Sequence, residues 1–498
     1  MALAPFFERV YGALGGHLAV SRESLSSVLD QVTVGVRYAT KPHQNDIWAG
    51  EFTVNLLARL YPRIAISGPS KYAETLRELA TKINPNIEFT ETTTDTTTIA
   101  FGLVSGGEGI LFPSAAGWVA RLGNSGPLSQ GPANPYSCAA AAAFASAEVF
   151  RRVFLNTASK EDVSVSLLNY DEQSGADVGI GKNHLGDTTF VGVGAVGNAA
   201  LWAMSQDEGL TGRIDLIDPE RLTLLNLQRY VLGKIADVGR PKVQLARDML
   251  AATNLHIETA EQPIEALVDG AFGRPFETIA ISVDNIPARR TAQALLPRLV
   301  VNGWTGGEAL GASWHKFSDD AACLACLYHP RGPGLSATDQ AAQALGFSKD
   351  RAAMLWVRGD GLSDDDLATA AATLGVQKEA LSGWRGKPIG ELYTDVVCGA
   401  VPLDIKGVGR VEVVPLAQQS ALAGVLMAVE LIKRTSPTLA KRGQRETLVA
   451  WDNVLQPPPK TWIRPMAREP GCICSDADYQ SIYSQKWLGR RQGRRSPR

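Results

Sequence analysis

The chain has 498 residues with a formal net charge of −2, and 45% of its residues are hydrophobic while 20% are charged. These values are ordinary for a globular protein with a large core. The near-zero charge argues against nucleic acid or a membrane surface as a partner, and the sequence shows no long apolar run and no secretion signal. We therefore expect a cytoplasmic protein. We interpret the basic end from Lys486 onward, KWLGRRQGRRSPR, as a solvated tail, and docking on an acidic partner is the alternative.

Residues 1–182 predict an alternation of strands and helices. The first predicted strand is RIAISGP, which ends at Gly68, and a helix over Tyr72–Lys82 follows. Further strands are predicted before an alanine-rich helix over Cys138–Phe154. No G-x-G-x-x-G loop follows the first predicted strand, so nucleotide binding is not expected in this region.

A second α/β region, residues 183–330, carries a glycine-rich loop after its first strand. The stretch FVGVGAVG places Gly192, Gly194 and Gly197 in a G-x-G-x-x-G pattern. Such a loop lets the backbone and the N-terminus of the following helix approach a phosphate. Asp218, at the end of the next predicted strand, stands where a ribose-binding carboxylate is expected. The loop and this aspartate alone fit an NAD enzyme as well as an ATP-using one.

Polar and cationic side chains after the second strand of this region favour the ATP-using alternative. Asn226, Arg229 and Lys242 occur at close intervals. Arginine offers a planar fork of donors to phosphate oxygens, and lysine offers a compact charge. A nicotinamide-binding domain has no need of such a set unless it reads a 2′-phosphate, whereas a triphosphate attacked at its α-phosphorus does. Asp284, at the end of another predicted strand, could hold Mg²⁺.

The pattern changes to short helices over residues 331–394, which we interpret as a small helical insertion. Ser363 followed by three aspartates predicts an N-cap and first turn, and the helix is expected to end at Gly375. In residues 395–498 we expect a crossing segment, a long helix over Pro415–Arg434, a strand at TLVAWDNV and a proline-rich closing segment. Strand–helix–strand units of this length imply a doubly wound, mainly parallel sheet.

Four motifs resemble the adenylation domain of ubiquitin-activating enzymes and of the ThiF–MoeB type of bacterial enzymes that charge sulfur-carrier proteins. They are GVGAVG, DPERLTLLNLQR, DVGRPKVQLARDML and SVDN, and they occur in the family's order. The resemblance covers roughly residues 185–330 and 395–475, and Tyr230 stands where the family usually has glutamine. In layout the chain is similar to the activating enzymes of bacterial ubiquitin-like conjugation operons, which are linked to antiphage defence.

This resemblance implies roles for five residues. It places Asp218 on the ATP ribose, and it places Asn226, Arg229 and Lys242 on the phosphates. It also makes Asp284 the magnesium ligand.

Four of the six cysteines fall into two close pairs. Cys323 and Cys326 form a C-x-x-C pair, and Cys472 and Cys474 form a C-x-C pair. Four thiolates suit a closed, structural tetrahedral Zn²⁺ site, and the resembling family has a structural zinc in matching places. The alternative is four reduced cysteines packed as small hydrophobic side chains. The histidines near the first pair are not expected to be ligands.

The two remaining cysteines carry different expectations. Cys398 lies between the helical insertion and the long helix, and the resemblance implies that it takes the modifier from AMP as a thioester, as in the autophagy-type members. Such a nucleophile must be exposed and partly thiolate. Cys138 opens the alanine-rich helix and is expected to serve close helix packing.

Ubiquitin-activating enzymes pair an active adenylation half with an inactive one, so the resemblance implies that residues 1–182 form the inactive half. Their alanine-rich helix echoes the helix over residues 416–434. The partner half often supplies an arginine to ATP, but neither Arg22 nor Arg37 stands in a recognisable motif, and this assignment stays open. The expected fold is therefore α/β, with two Rossmann-like doubly wound adenylation-type halves, a helical insertion and a zinc site.

These features predict an activating enzyme for a ubiquitin-like protein, with ATP, Mg²⁺ and Zn²⁺ as cofactors. Its partners would be the modifier and a conjugating enzyme, and a homodimer stays open. A sulfur-carrier-protein adenylyltransferase for thiamine or molybdopterin synthesis is the alternative in the same class. An NAD(P) oxidoreductase leaves Arg229, Lys242 and the paired cysteines unexplained, and a scaffold without catalysis has no reason to keep Asp284 with them.

Overall fold

The computed structural model describes residues 3–18, 22–90, 97–104, 109–124, 126–267, 270, 272–329, 337–374, 376–393, 414–441 and 447–487. The chain divides into two compact units. The larger unit consists of Met1–Tyr11, Val20–His329 and Pro415–Arg498, and the smaller one consists of Gly12–Ala19 and Pro330–Val414. None of the described helices is both long and apolar enough to cross a bilayer.

The strands of the larger unit form two sheets. The first sheet contains β1 Val34–Tyr38, β2 Arg63–Ser67, β3 Glu88–Phe89, β4 Thr97–Phe101, β5 Ile110–Ala116, β6 Val119–Gly123 and β7 Val163–Ser166. The second sheet contains β8 Asn183–Val191, β9 Leu210–Ile217, β10 Asn254–Ala260, β11 Thr278–Ile281, β12 Leu299–Gly306, β13 Ala309–His315, β14 Leu448–Trp451 and β15 Ile463–Arg464.

The helices are numbered in the same way. They are α1 Phe7–Leu18, α2 Arg22–Gln31, α3 Gln44–Leu57, α4 Ser70–Ile83, α5 Pro135–Phe154, α6 Ala195–Ser205, α7 Lys242–Leu250, α8 Ile286–Ala294, α9 Leu324–Leu327, α10 Ala337–Leu345, α11 Lys349–Arg358, α12 Asp364–Leu374, α13 Ile389–Leu392, α14 Ala417–Thr435, α15 Pro437–Ala440 and α16 Ala477–Trp487. Short 3₁₀ helices occur at Leu224–Gln228, Ile235–Asp237, Ile264–Leu267, Lys378–Trp384 and Ile473–Ser475.

The two sheets share one topology. The strand order is β3-β2-β1-β4-β5-β6-β7 in the first sheet and β10-β9-β8-β11-β12-β13-β14-β15 in the second. In each sheet the first strand pairs in parallel with the second and the fourth, and the fourth pairs in parallel with the fifth. The pairs beyond the fifth strand are antiparallel. This is the doubly wound arrangement with a switch point beside the first strand. The predicted fold of two Rossmann-like sheets is therefore confirmed.

Sequence patterns located most of these elements, but they missed the central strand of the first sheet. The first strand is β1, not the predicted RIAISGP, which forms β2. All five residues of β1 except Arg37 are buried, so the strand lies inside the sheet and lacks the polar alternation that marks a half-exposed strand. The predicted helix at Tyr72–Lys82 is α4, and the predicted helices at Cys138–Phe154 and Pro415–Arg434 are α5 and α14.

The two halves of the larger unit meet through buried helices. The first seventeen residues of α5 and of α14 are all buried. Polar contacts complete this interface: the Tyr170 hydroxyl donates to a Glu430 carboxylate oxygen at 2.7 Å, and Lys433 Nζ donates to the Leu167 and Leu168 carbonyl oxygens at 2.9 Å. Because buried polar groups need partners, these bonds fix how the two halves register on one another.

The smaller unit has its own core of short helices, which include α10 to α13. Leu355 and Leu367 are among its fully buried side chains. The predicted helix start at Ser363 is observed as a reciprocal capping pair, because Asp366 Oδ2 accepts from the Ser363 amide at 2.8 Å and the Asp366 amide donates to Ser363 Oγ at 3.2 Å. Arg351 and these bonds lower the pKa of Asp366 to about 2. The predicted end at Gly375 lies outside the described residues.

Asp207 provides a pH-dependent test of the interface between the two halves. It is 2% exposed and accepts a hydrogen bond from the Tyr136 hydroxyl of α5 at 3.1 Å. Burial raises its pKa to about 6. Since this folded-state pKa lies above the unfolded value of about 3.9, ionisation favours unfolding, and stability is lost as pH rises from about 4 to about 6.

We expect Asp207→Asn to remove this loss. At pH 7 the variant should be more stable than the wild type by about 2–3 kcal/mol, from 1.36 kcal/mol per pKa unit, and below pH 4 the difference should vanish. Urea unfolding of variant and wild type at pH 4, 5, 6 and 7 measures this difference in stability. The control is Asp187→Asn, because Asp187 is exposed. A difference between variant and wild type that does not change with pH would contradict this interpretation.

Candidate active site

The glycine loop lies between the central strand of the second sheet and α6. Gly192 has a φ of +88°, and a Cβ on Gly197 would lie 2.1 Å from the Gly192 carbonyl oxygen. These two glycines are therefore required by the fold itself. Gly194 is the N-cap of α6, and a Cβ there would meet no atom within 4 Å. Its place is open, so the helix N-terminus can be approached by an anion from outside.

Asp218 is hydrogen-bonded to this loop. It follows β9 directly, and its Oδ2 accepts from the Val193 amide at 2.6 Å while its Oδ1 accepts from the Glu220 amide at 2.8 Å. The residue is 5% exposed. Burial raises its pKa, and the charge of Lys242 and the amide bonds oppose that rise. A carboxylate is thus held at the switch point, beside the loop that predicts phosphate binding.

Lys242 lies at the same edge of the sheet. It is the first residue of α7, is 3% exposed, and forms an ion pair with Glu220. Its Nζ lies 6.0 Å from the ring centre of Tyr230, whose buried hydroxyl has no hydrogen-bond partner among the described residues. The Glu220 side chain is 67% exposed, so an incoming anion could replace it as the partner of this lysine. The partner role of Glu220 was not predicted from the sequence.

Asn226 and Arg229 belong to the segment that connects β9 to α7. Asn226 ends the first turn of the 3₁₀ helix Leu224–Gln228, and its Oδ1 accepts from the Thr223 amide at 3.0 Å. Arg229 follows this helix, and its Nη1 donates to Gln228 Oε1 at 3.3 Å. The structure therefore places both residues on the segment that leads from Asp218 to Lys242.

Asp284 stands three residues beyond the end of β11, and its side chain is exposed. Since β11 pairs with β8, it emerges from the same sheet edge as the glycine loop. Ser282 joins the two, because its amide donates to the Val191 carbonyl at 2.9 Å and its Oγ to the Gly192 carbonyl at 2.8 Å. An exposed carboxylate at this edge is chemically suited to a hard cation such as Mg²⁺.

The two cysteine pairs converge into one cluster although 149 positions separate Cys323 from Cys472. All four sulfur atoms lie within 4.8 Å of one another, and the residues are buried. The Sγ–Sγ distances are 3.9 Å for Cys323–Cys326, 3.5 Å for Cys323–Cys472 and 3.4 Å for Cys326–Cys474. Tetrahedral bonds of about 2.3 Å require sulfur separations of about 3.8 Å. The cluster is therefore compatible with zinc, and its four thiolates leave no open coordination position.

His315 lies near the cysteine cluster but is not one of its ligands. His315 is buried, and burial lowers its pKa to about 4. The neutral ring donates from Nδ1 to the Ala322 carbonyl oxygen at 2.7 Å and accepts at Nε2 from Ser313 Oγ at 2.9 Å. Both ring nitrogens are therefore used, which agrees with the prediction that this histidine is not a ligand.

Two cysteines lie outside the cluster, and the sequence left the arginine donated to ATP unassigned. Cys398 lies outside the described residues. Cys138 is fully buried, its Sγ donates to Asn45 Oδ1 at 3.3 Å, and burial raises the pKa of its thiol well above the usual value. Arg22 forms a surface ion pair with Glu8. Arg59, which no motif singled out, instead reaches the Arg229 segment from the first half.

Two family models and one long relative match this chain. The ThiF family model matches residues 186–468, and the model of prokaryotic E2 family C matches residues 45–155. An uncharacterised protein of Sinorhizobium fredii is 34% identical over 88% of this chain and 87% of its own length.

Relatives with an assigned activity match shorter stretches. The molybdopterin-synthase adenylyltransferase of Escherichia coli is 42% identical over 16% of this chain and 31% of its own length. The sulfur carrier protein adenylyltransferase of Thermus thermophilus is 27% identical over 33% of this chain and 64% of its own length. Among solved structures, Escherichia coli MccB with ATP is 15% identical and covers 58% of this chain and 67% of that one. Its TM-score is 0.36, and we draw no argument from this similarity.

The cysteine cluster yields a direct test. We expect the purified chain to carry about one zinc ion, and Cys326→Ser to lose it and unfold at a lower temperature, because a structural site contributes its binding energy to folding. Metal content by mass spectrometry and the melting temperature measure the two effects. Cys138→Ser is the control for metal content, since that cysteine lies outside the cluster and its replacement should leave the zinc content unchanged. Full zinc content in the Cys326 variant would exclude the proposed ligand set.

Proposed function

This chain belongs to the ThiF family, and from that premise we propose that it is an ATP-dependent adenylyltransferase that activates the C-terminal carboxylate of a ubiquitin-like protein. The observation that carries the proposal is the meeting of an open helix N-terminus, Asp218 and Lys242 at one edge of the second sheet. Adenylation needs three groups: backbone amides that bind phosphate, a carboxylate that binds the ribose, and a cation that stabilises the charge developing on the phosphate oxygens.

ATP would bind across the crevice beside β8. The amide groups at the start of α6 would face the phosphates, since Gly194 leaves that position open. Asp218 would accept from the ribose hydroxyls, because each carboxylate oxygen can accept a further bond beside the amide it already holds. Asp284 could hold Mg²⁺, which supplies positive charge to the phosphate oxygens when bound.

Adenylation would then proceed by attack on the α-phosphorus. A carboxylate oxygen of the partner forms a bond to phosphorus, the bond to the bridging oxygen breaks, and pyrophosphate leaves with the electron pair. Negative charge grows on the phosphate oxygens during this step. Lys242 would exchange Glu220 for these oxygens, and Arg229 would approach them from the neighbouring segment.

We further propose that the acyl group passes from AMP to Cys398. The cysteine sulfur forms a bond to the carbonyl carbon, the bond from that carbon to the AMP oxygen breaks, and AMP leaves. Exchange with the thiol of a separate conjugating enzyme would follow. Support for a cysteine nucleophile here comes from the family resemblance and from the place of Cys398 in the sequence, between α13 and α14. The setting that fits this layout is a bacterial ubiquitin-like conjugation system of the antiphage type.

The first half, residues 1–182, is in this proposal the inactive member of the pair. In α3 the N-cap is His43, whose Nδ1 accepts from the Asn45 amide at 3.2 Å, and Asp46 at the third helix position accepts from the His43 amide at 2.7 Å. The equivalent third position of α6 is Gly197. A buried carboxylate at the start of the helix repels phosphate, and the His43 and Asp46 side chains together occupy two amides that a nucleotide would need.

The match of residues 45–155 to a prokaryotic E2 family raises the alternative that this half performs the conjugating step itself. The sequence has one cysteine in that range, Cys138. Its thiol is fully buried and its pKa is raised well above the usual value. A transfer cysteine must be accessible and partly thiolate, so we assign that step to a separate protein.

A second candidate is favoured by the names of the shorter matches, which are sulfur-carrier and molybdopterin-synthase adenylyltransferases. Both candidates share ATP-dependent adenylation of a carrier. They differ in the fate of the acyl group, because only the first forms a thioester on Cys398. The two tests below separate the shared step from the differing one.

Lys242→Ala tests adenylation. We expect a weaker affinity for Mg·ATP in calorimetry and a loss of at least about 100-fold in carrier-dependent ATP–pyrophosphate exchange, because one cation on the developing charge is removed. The carrier would be a small protein with a glycine-ended tail encoded beside this gene. Lys182→Ala, an exposed lysine just ahead of β8, is the control and should change neither value. Wild-type exchange in the Lys242 variant would refute the assignment.

Cys398→Ala tests the thioester. We expect this variant to keep ATP–pyrophosphate exchange and to lose a carrier adduct that dithiothreitol cleaves, as seen on non-reducing gels. The Cys138→Ala variant should keep both activities, because its thiol is buried. An adduct that persists in the Cys398 variant would move the nucleophile elsewhere, and the absence of any adduct in the wild type would favour the sulfur-carrier alternative.

A further inference from the structure

Two side chains of the first half bond to the segment that connects β9 to α7 in the second half. Asn55, in α3, donates from Nδ2 to the Val231 carbonyl oxygen at 2.9 Å. Arg59, two residues beyond the end of α3, donates from Nη1 to the Leu227 carbonyl and from Nη2 to the Gly233 carbonyl at 3.2 Å. Three carbonyl groups of one short segment, residues 227–233, are thereby held from the opposite half.

The two side chains also hold each other. Asn55 Oδ1 accepts from Arg59 Nε at 3.1 Å and from Nη2 at 2.9 Å. The residues are 4% and 1% exposed. The guanidinium makes no ion pair within the described part of the chain, and burial alone lowers the pKa of Arg59 to about 9, so it remains charged at neutral pH. A buried charge needs acceptors, and four hydrogen bonds to Asn55, Leu227 and Gly233 hold the guanidinium in one orientation. Arg59 and Asn55 together form a clamp on this segment.

The clamped segment carries residues of the proposed nucleotide site. Arg229 lies two positions beyond the Leu227 carbonyl, and Tyr230 lies one position before the Val231 carbonyl. On its other side the segment is tied to the phosphate loop. The Leu232 amide donates to Asn198 Oδ1 at 3.2 Å, and Asn198 Nδ2 donates to the Gly194 carbonyl oxygen at 2.6 Å. A continuous set of hydrogen bonds therefore runs from α3 of the first half to the start of α6.

We propose that Arg59 and Asn55 are positioning residues for the nucleotide site, through which the first half holds residues 227–233 in the ATP-binding conformation. This inference rests on the proposed function and gives the first half a role in it. The segment has only short 3₁₀ turns of its own, so without the clamp it would populate open conformations. The observed affinity for ATP then falls in proportion to the fraction that remains closed.

The test compares substitutions at Arg59 with a matched arginine. Arg59→Met removes all donors, and Arg59→Lys keeps the charge but not the fork. Arg151 is the control because it is also buried on the first half and donates to carbonyls of the second, those of Val454 at 3.3 Å and Gln456 at 3.1 Å. Arg151→Met therefore weakens the contact between the halves away from the proposed site.

Three measurements are made on each full-length variant: the dissociation constant for Mg·ATP by calorimetry, hydrogen exchange of peptides covering residues 224–234, and the melting temperature. We expect Arg59→Met to exchange faster in that segment and to bind Mg·ATP about tenfold more weakly. Arg59→Lys should lie between it and the wild type. Arg151→Met should lose melting temperature while its Mg·ATP affinity stays within about twofold of the wild type.

The outcomes separate the two proposals. If Arg59→Met fails to fold, Arg59→Lys and Asn55→Ser carry the same comparison with smaller expected losses. Wild-type Mg·ATP affinity in the folded Arg59 variants, or an equal loss in Arg151→Met, would overturn the positioning role while leaving adenylation intact. A wild-type chain that binds no Mg·ATP would overturn the proposed function and this inference with it.

Discussion

Helices α14 and α6 approach so closely at Gly424 that a Cβ there would lie 2.2 Å from the Val196 carbonyl oxygen. Gly303 on β12 meets the same constraint, since its Cβ would lie 2.9 Å from Val196 Cγ1 and 2.8 Å from Met427 Sδ. Val196 sits in the first turn of α6. The close contact therefore holds the first turn of α6 against α14, and the same α14 packs on α5 of the first half. The proposed nucleotide site and the packing of the two halves therefore share the helix α14.

The two halves use a common topology for different purposes. After the central strand, the second half has Gly194, which leaves the helix N-terminus open, and Gly197, where the fold has no room for a side chain. The first half has His43 and Asp46 at the equivalent positions, and their side chains cap the helix. A capped N-terminus cannot also hold a phosphate. The first half nevertheless contributes the buried Arg59, through which we propose that it stabilises the site of the other half.

Much of the candidate site could be predicted because its signals are local in sequence. The glycine spacing, Asp218 at a strand end and the cysteine pairs each require only a few neighbouring residues to be recognised. The pairing of Lys242 with Glu220 could not be foreseen in the same way, because it depends on how the segment after β9 folds back. The role of Arg59 is still harder to predict, since a single arginine after a helix is usually a surface residue. Its burial arises only when the halves meet.

The cysteines show how structure narrows a chemical choice that sequence leaves open. Four thiols are committed to a closed cluster, and a site with four thiolate ligands has no position for an acyl group. Cys138 is fully buried against Asn45, and forming its thiolate there would place an unpaired charge in the core. We therefore propose Cys398 for a thioester on this chain, because each of the five cysteines within the described residues lies in the closed cluster or in the core. This makes the chemistry of Cys398 the step that distinguishes a conjugating system from sulfur transfer.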